Sequence, residues 1–172
     1  MFTKADIEKY FNAEKNESLL YVIIGMAAVL LALVFFFYLK TNWHKGFALP
    51  FLLVGIMHLL VGYTVYNRCD GDRKRNVYAY DMNPDELKNK EIPRMVKVNK
   101  NFVIYRYTEI ALLLLGLGLF FYYRNNIDKS FWVGLGIALA IEATISLGAD
   151  FFAEQRAGLY TRGIRSFVNK IK

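Results

Sequence analysis

Four long apolar runs dominate the hydrophobic pattern of the chain, and each is long enough to cross a bilayer. They cover residues 19–39, 46–67, 103–123 and 130–153. The first two runs contain no Lys, Arg, Asp or Glu. At a rise of 1.5 Å per residue, about 20 such residues span the ~30 Å hydrocarbon core. The pattern therefore predicts an all-α, polytopic membrane protein with four transmembrane helices in two hairpins.

The longest polar segment, residues 68–101, predicts a small helical cap. CDGDRKR around Gly71 is typical of a turn, and VYAYD is typical of a short extended piece. Asn83 as N-cap and Pro84 at the first helical position predict a short helix that ends at Pro93. A new helix directly after Pro93 is expected to continue into the third membrane segment.

The two ends of the chain predict helical pieces beside the membrane. The head, residues 3–18, has a capping-box-like spacing of Thr3 and Asp6. It is expected to be a short helix against the inner interface, or a solvated lead-in. The tail, residues 155–172, is basic and amphipathic, and predicts an interfacial helix on anionic lipid. The apolar side of the tail consists of Tyr160, Ile164, Phe167, Val168 and Ile171.

The distribution of basic residues predicts the orientation of the chain. Of 22 Lys and Arg residues, 18 lie in the head, in residues 68–106 and in the tail, and 4 lie in the two short connections. Basic residues accumulate on the cytoplasmic side of membrane proteins. Both termini and residues 68–101 are therefore predicted to be cytoplasmic.

Length and composition argue against an enzyme. With 172 residues and about half of them in membrane, no second, catalytic domain fits. No nucleophile, base and acid can be grouped, and neither a cofactor nor a metal site is predicted. The formal net charge of +7 is explained by topology and by contact with anionic membrane lipid, so nucleic acid is not an expected partner. The lone Cys69 predicts no internal disulfide.

Ionisable side chains inside the apolar runs are the candidate chemistry. They are His58, Glu109, Glu142 and Asp150. A charge at mid-bilayer costs about 2.5–3.5 kcal/mol on insertion scales, and it is kept only with a partner or a use. Glu109 and Asp150 lie near the predicted cytoplasmic end of their helices. An ionic collar with Arg68 and Arg106 is expected there.

A second polar contact is predicted deeper in the membrane, between His58 and Glu142. The two residues lie at similar depth, and each lies on a face of small residues, where membrane helices approach closely. On the fourth run this face consists of Gly134, Ala138, Glu142, Ser146 and Asp150. Three roles stay open for it: a packing hydrogen bond, a proton or ion path, and contact with a partner helix.

The central passage supports a resemblance to a known class of proteins. It contains basic residues at 73–75, then VYAYDMNP, EIPRM, and NFVIYRYTEI leading into the third membrane segment. This passage resembles small four-helix inner-membrane proteins encoded beside secreted bacterial toxins, the immunity proteins for type VI secretion effectors that attack the inner membrane. The resemblance implies a non-enzymatic protein that binds a membrane-inserting toxin and stops it from forming a pore.

Two alternatives remain beside that interpretation. A homo-oligomer could conduct protons or ions through His58 and Glu142. A membrane scaffold could dock a cytoplasmic partner on residues 68–101. A toxin, or a second copy of the chain, is therefore the expected protein partner.

Overall fold

The fold consists of four long helices joined by short connections. The computed structural model describes residues 2–170. Helix α1 spans Lys4–Leu39, α2 spans Asn42–Met82, α3 spans Pro84–Tyr123 and α4 spans Ile127–Lys170. Each helix is long and apolar enough to cross a membrane. This confirms the predicted all-α class with four candidate membrane helices.

All four helices are longer than a bilayer is thick. Their 36 to 44 residues correspond to about 54–66 Å at 1.5 Å per residue. That is about twice the ~30 Å hydrocarbon core. Helices of this length that cross a bilayer would therefore continue beyond it. We call residues 4–18, 68–102 and 154–170 the extramembrane half, and the remainder the membrane half.

Glycines allow close packing in the membrane half. Helices α2 and α4 form the central pair, with α1 packed on α2 and α3 packed on α4. At Gly46 and Gly134, an added Cβ would collide with a backbone carbonyl of the facing helix. A Cβ at Gly116 would lie 2.7 Å from the carbonyl oxygen of Gly136, and one at Gly25 would lie equally close to a carbonyl of α2. Each pair of neighbouring helices therefore touches backbone to backbone.

The turn and extended piece predicted after residue 68 are wrong, because α2 is helical through to Met82. Gly71 keeps a negative φ. The acidic and basic residues around it form pairs along the helix, such as Arg75 with Asp72 at 2.8 Å. Cys69 and Ala79 are buried on the side that faces the rest of the protein. Burial of this side therefore outweighs the local preference of Gly71 for a turn.

The predicted helix start at Pro84 is confirmed, but the predicted helix end at Pro93 is wrong. The chain turns sharply at Asn83, and α3 then runs on to Tyr123. A π-helical turn, Leu87–Glu91, lies directly before Pro93. A proline inside a helix removes one hydrogen bond and crowds the preceding turn. The wider π-helical turn accommodates both effects, so the helix continues.

The hydrophobic core lies in the extramembrane half. Its centre is an aromatic stack in which the rings of Tyr10 and Tyr160 lie 4.0 Å apart and nearly parallel. The buried residues around this stack come from the head, from both sides of the Asn83 turn and from the tail. They are Ile7, Phe11, Ala79, Leu87, Met95, Ala157, Ile164 and Val168.

This core corrects the predicted placement of the head and the tail. The capping box is confirmed, since the backbone N–H of Thr3 donates to Asp6 at 2.8 Å. The head, however, is neither an interfacial helix nor a solvated lead-in, because it is the first part of α1 and its apolar side is buried. The tail is helical, but its apolar side packs on the head instead of facing lipid. Ile171 lies outside the described residues.

Candidate functional site

The predicted contact between His58 and Glu142 is wrong. Among residues 2–170, no hydrogen bond or ion pair joins the two side chains, although Glu142 is only 6% exposed. The glycines beside His58, at 55 and 62, pack against α1. The small-residue face of α2 therefore points to α1, and not to α4. Sequence spacing identified the face correctly but could not identify which helix it meets.

The small-residue face of α4 is already occupied within the chain. Gly134 packs against the backbone of Trp43 on α2, and Ala138 is fully buried. Glu142 is buried in the same row, and Ser146 is half-buried. Because these residues pack inside the protein, the face offers little surface to a second protein.

The predicted ionic collar has the wrong partners. Arg68 pairs with Glu14 at 3.0 Å, and Arg106 pairs with Glu154 at 3.3 Å. Neither arginine pairs with Glu109 or Asp150 in the described part of the chain. The reason is the length of the helices, because the continuous α1 carries the acidic residues of the head past Arg68.

The membrane half instead contains a polar cluster with one residue from each helix: Tyr21, His58, Glu109 and Asp150. The hydroxyl of Tyr21 donates to Oδ1 of Asp150 at 3.2 Å, and its ring lies 5.1 Å from the imidazole of His58. The carboxyl groups of Glu109 and Asp150 lie side by side. We call these four residues the polar cluster. Tyr21 was missed from the sequence because a tyrosine near the start of an apolar run resembles an ordinary interface residue.

The polar cluster has unused hydrogen-bonding capacity and no cation. Buried Nδ1 of His58 has no hydrogen-bond partner among residues 2–170, and buried Oε2 of Glu109 has none there besides the adjacent carboxyl group of Asp150. No Lys or Arg within residues 2–170 forms an ion pair with Glu109 or Asp150. Such a cluster can accept a proton or bind a cationic group. Across the same residues, no three His, Cys, Asp or Glu side chains are placed to hold a metal ion.

Ion pairs lie directly below the polar cluster, in the extramembrane half. Glu17 on α1 pairs with Arg156 on α4, and Glu14 pairs with Arg68 on α2. Burial raises the pKa of both carboxyl groups above the ordinary value, although the arginines oppose this effect. Arg68 and Arg156 therefore pair with Glu14 and Glu17, and neither arginine pairs with the carboxyl groups of the polar cluster.

Comparisons with known proteins add no family to this description. No protein-family model matches the chain, and no curated protein or solved structure matches it.

Proposed function

We propose that this chain is a non-enzymatic protein of the bacterial inner membrane that binds a second, membrane-inserting polypeptide. In this proposal it acts as an immunity protein that prevents a membrane-targeting toxin from forming a pore. The observation that carries the proposal is the side-by-side pair of Glu109 and Asp150, to which residues 2–170 supply no cation. Ionisable groups at membrane depth are retained for a partner or a use.

The position of Glu109 supports a partner that approaches through the bilayer. Its neighbours Thr108 and Ile110 are exposed, and Ile110 is 39% exposed. Helices α1 and α3 touch each other little, because they lie on different members of the central pair. A partner helix that enters from this side and carries a Lys or Arg at the same depth would complete the polar cluster. Polar contacts of this kind hold membrane helices together.

Two alternatives receive less support. The apolar residues of segment 68–101 that a scaffold would offer, such as Leu87 and Met95, are buried by the head and the tail. One observation favours conduction of protons or ions, because each of the four helices contributes a residue to the polar cluster. Glu142, buried farther along α4, would extend such a path.

A crosslinking experiment with a protection assay tests the proposal. A photoreactive residue at position 110 should capture a membrane-inserting polypeptide in native membranes, and expression of the chain should preserve the membrane potential of cells exposed to that polypeptide. Glu109→Gln combined with Asp150→Asn should abolish both effects. Lys90→Gln, at a side chain that is 71% exposed, is the control and should change neither.

Two outcomes would contradict this function. Capture of only a second copy of the chain would indicate self-association. Proton or ion flux through the purified protein in liposomes, lost in the Glu109→Gln variant, would identify a conducting protein instead. Neither outcome is compatible with a protein that binds a toxin.

A further inference from the structure

Two neighbouring grooves lie along one side of helices α3 and α4, one in the membrane half and one at its extramembrane edge, and together we call them the groove. On α3 its wall repeats every seven residues, at Asn99, Arg106, Leu113 and Phe120. Residues at this spacing lie on one face of a helix. Helix α4 supplies the other wall with the same spacing, from Ile137 to Gly158. The two parts of the groove therefore lie one above the other on the same side of the two helices.

Two arginines, one on each side of the boundary between the two halves, lie at the end of the groove nearest the extramembrane half, which we call its mouth. The acidic partner of Arg106 is Glu154, at 3.3 Å, in an exposed pair that contributes little to stability. Arg162 has no acidic partner among residues 2–170. Its Nη1 lies 3.5 Å from the point where a Cβ of Gly158 would be. Since Gly158 is one turn closer to the membrane, the guanidinium of Arg162 points toward the bilayer.

Two apolar side chains beside the arginines of the mouth are uncovered. Phe151 is 54% exposed and Leu159 is 63% exposed. Farther into the membrane half, the groove is lined by aliphatic residues such as Leu113 and Ile141, with Thr144 as a polar exception. The groove therefore matches a molecule that has an anionic group at one end and a hydrocarbon chain at the other.

We propose that this groove binds one anionic phospholipid, with its phosphate between Arg106 and Arg162 and an acyl chain along the wall of α3 and α4. Guanidinium groups bind phosphate oxygens through paired hydrogen bonds. Basic pockets between membrane helices at the cytoplasmic surface are suited to anionic lipid headgroups. The charge distribution of the chain places the mouth at that surface. This site shares no residue with the polar cluster.

Native mass spectrometry of the purified full-length chain tests the site. The chain is mixed with equal amounts of phosphatidylglycerol and phosphatidylcholine that carry the same acyl chains. We expect one phosphatidylglycerol to be retained per chain. Each arginine contributes about a fivefold gain in affinity, so Arg106→Gln with Arg162→Gln should weaken retention about 25-fold.

Matched variants distinguish a specific lipid site from nonspecific attraction of anionic lipid to basic residues. Arg165→Gln with Lys170→Gln removes the same charge from exposed positions of the tail, and it should leave retention within about twofold. Gly158→Leu keeps both arginines but fills the mouth, and should also abolish retention. If the double arginine variant fails to fold, the Gly158→Leu variant still tests the lipid site.

Three results would overturn the proposal. The first is equal loss of phosphatidylglycerol in the two double variants, and the second is equal retention of the two lipids by the unmodified chain. The third is complete displacement of phosphatidylglycerol by inorganic phosphate, which would show that the mouth takes free phosphate and that the groove is not used.

Discussion

Glu91 is 2% exposed and forms two hydrogen bonds with Arg94, at 2.8 and 2.7 Å. The guanidinium of Arg94 also lies 5.5 Å from the ring centre of Phe11 on the head. Burial disfavours the charge of Arg94, but the hydrogen bonds that it donates to Glu91 and the negative charge of that carboxylate together outweigh burial, so the pKa of Arg94 lies above its ordinary value. At the scale of the residue, this pair joins the start of α3 to α1.

Removing the charge of Glu91 should therefore destabilise the extramembrane half. Glu91→Gln leaves the largely buried Arg94 without a counter-ion, and we expect a loss of about 3 kcal/mol or more in the free energy of unfolding. Lys90→Gln, on the exposed side of the same turn, should change it by less than about 0.5 kcal/mol. Urea unfolding in detergent, followed by circular dichroism, measures both. Equal effects of the two variants would contradict a structural role for the pair.

The sequence was a better guide to the residues that lie between helices than to the partners of those residues. Glu109, Asp150 and the small-residue faces were all singled out from composition and spacing. Their partners depend on the rotation of each helix about its axis and on how far each helix extends. Since neither quantity is encoded locally, Arg68 was expected in a collar with Glu109 and Asp150, whereas it pairs with Glu14 in the structure.

At the scale of the element, α2 shows tertiary packing overriding local preference. Gly71 and two flanking aspartates favour a turn, but the helix continues through them. The space around Gly71 is open, with no atom within 4 Å of an added Cβ. The helix there is held by its buried side, which includes Cys69 and Asn76. Glycine is therefore not required at position 71.

Replacing Gly71 should consequently strengthen the helix. Alanine loses less conformational entropy than glycine on entering a helix, so Gly71→Ala should stabilise the protein by about 0.5–1 kcal/mol. Gly134→Ala is the matched comparison and should destabilise it, because its Cβ would collide with α2. Thermal unfolding in detergent measures both changes. Destabilisation by Gly71→Ala would indicate that residue 71 belongs to a turn after all.

At the scale of the whole molecule, two exposed corners mark opposite ends of the bundle. Asn83 joins α2 to α3 beyond the aromatic core, and Asn126 joins α3 to α4 at the other end. The single cysteine, Cys69, is 1% exposed, and burial raises the pKa of its thiol to about 12. The native cysteine should therefore be silent toward thiol reagents at neutral pH, since the thiolate is the reactive form.

Because Cys69 does not react, a cysteine introduced elsewhere can report the orientation of the chain without removal of Cys69. With the positive-inside distribution, Asn126→Cys should react with an impermeant maleimide in intact cells, whereas Asn83→Cys should react only after the membrane is opened. The unmodified chain should remain unlabelled until it is unfolded. Labelling of Asn83→Cys in intact cells would reverse the orientation and would place the arginine-lined mouth on the outer surface.

The stack of Tyr10 on Tyr160 also determines how late in synthesis the head can be covered by the tail. The two tyrosines are 150 positions apart in the sequence. At about 5–20 residues per second, the ribosome completes Tyr160 roughly 8–30 s after Tyr10. Throughout this interval the apolar side of the head lacks its final cover, even after α1 and α2 have been synthesised. A chain interrupted before the tail keeps these side chains accessible to proteases, so only a completed chain conceals its own first segment.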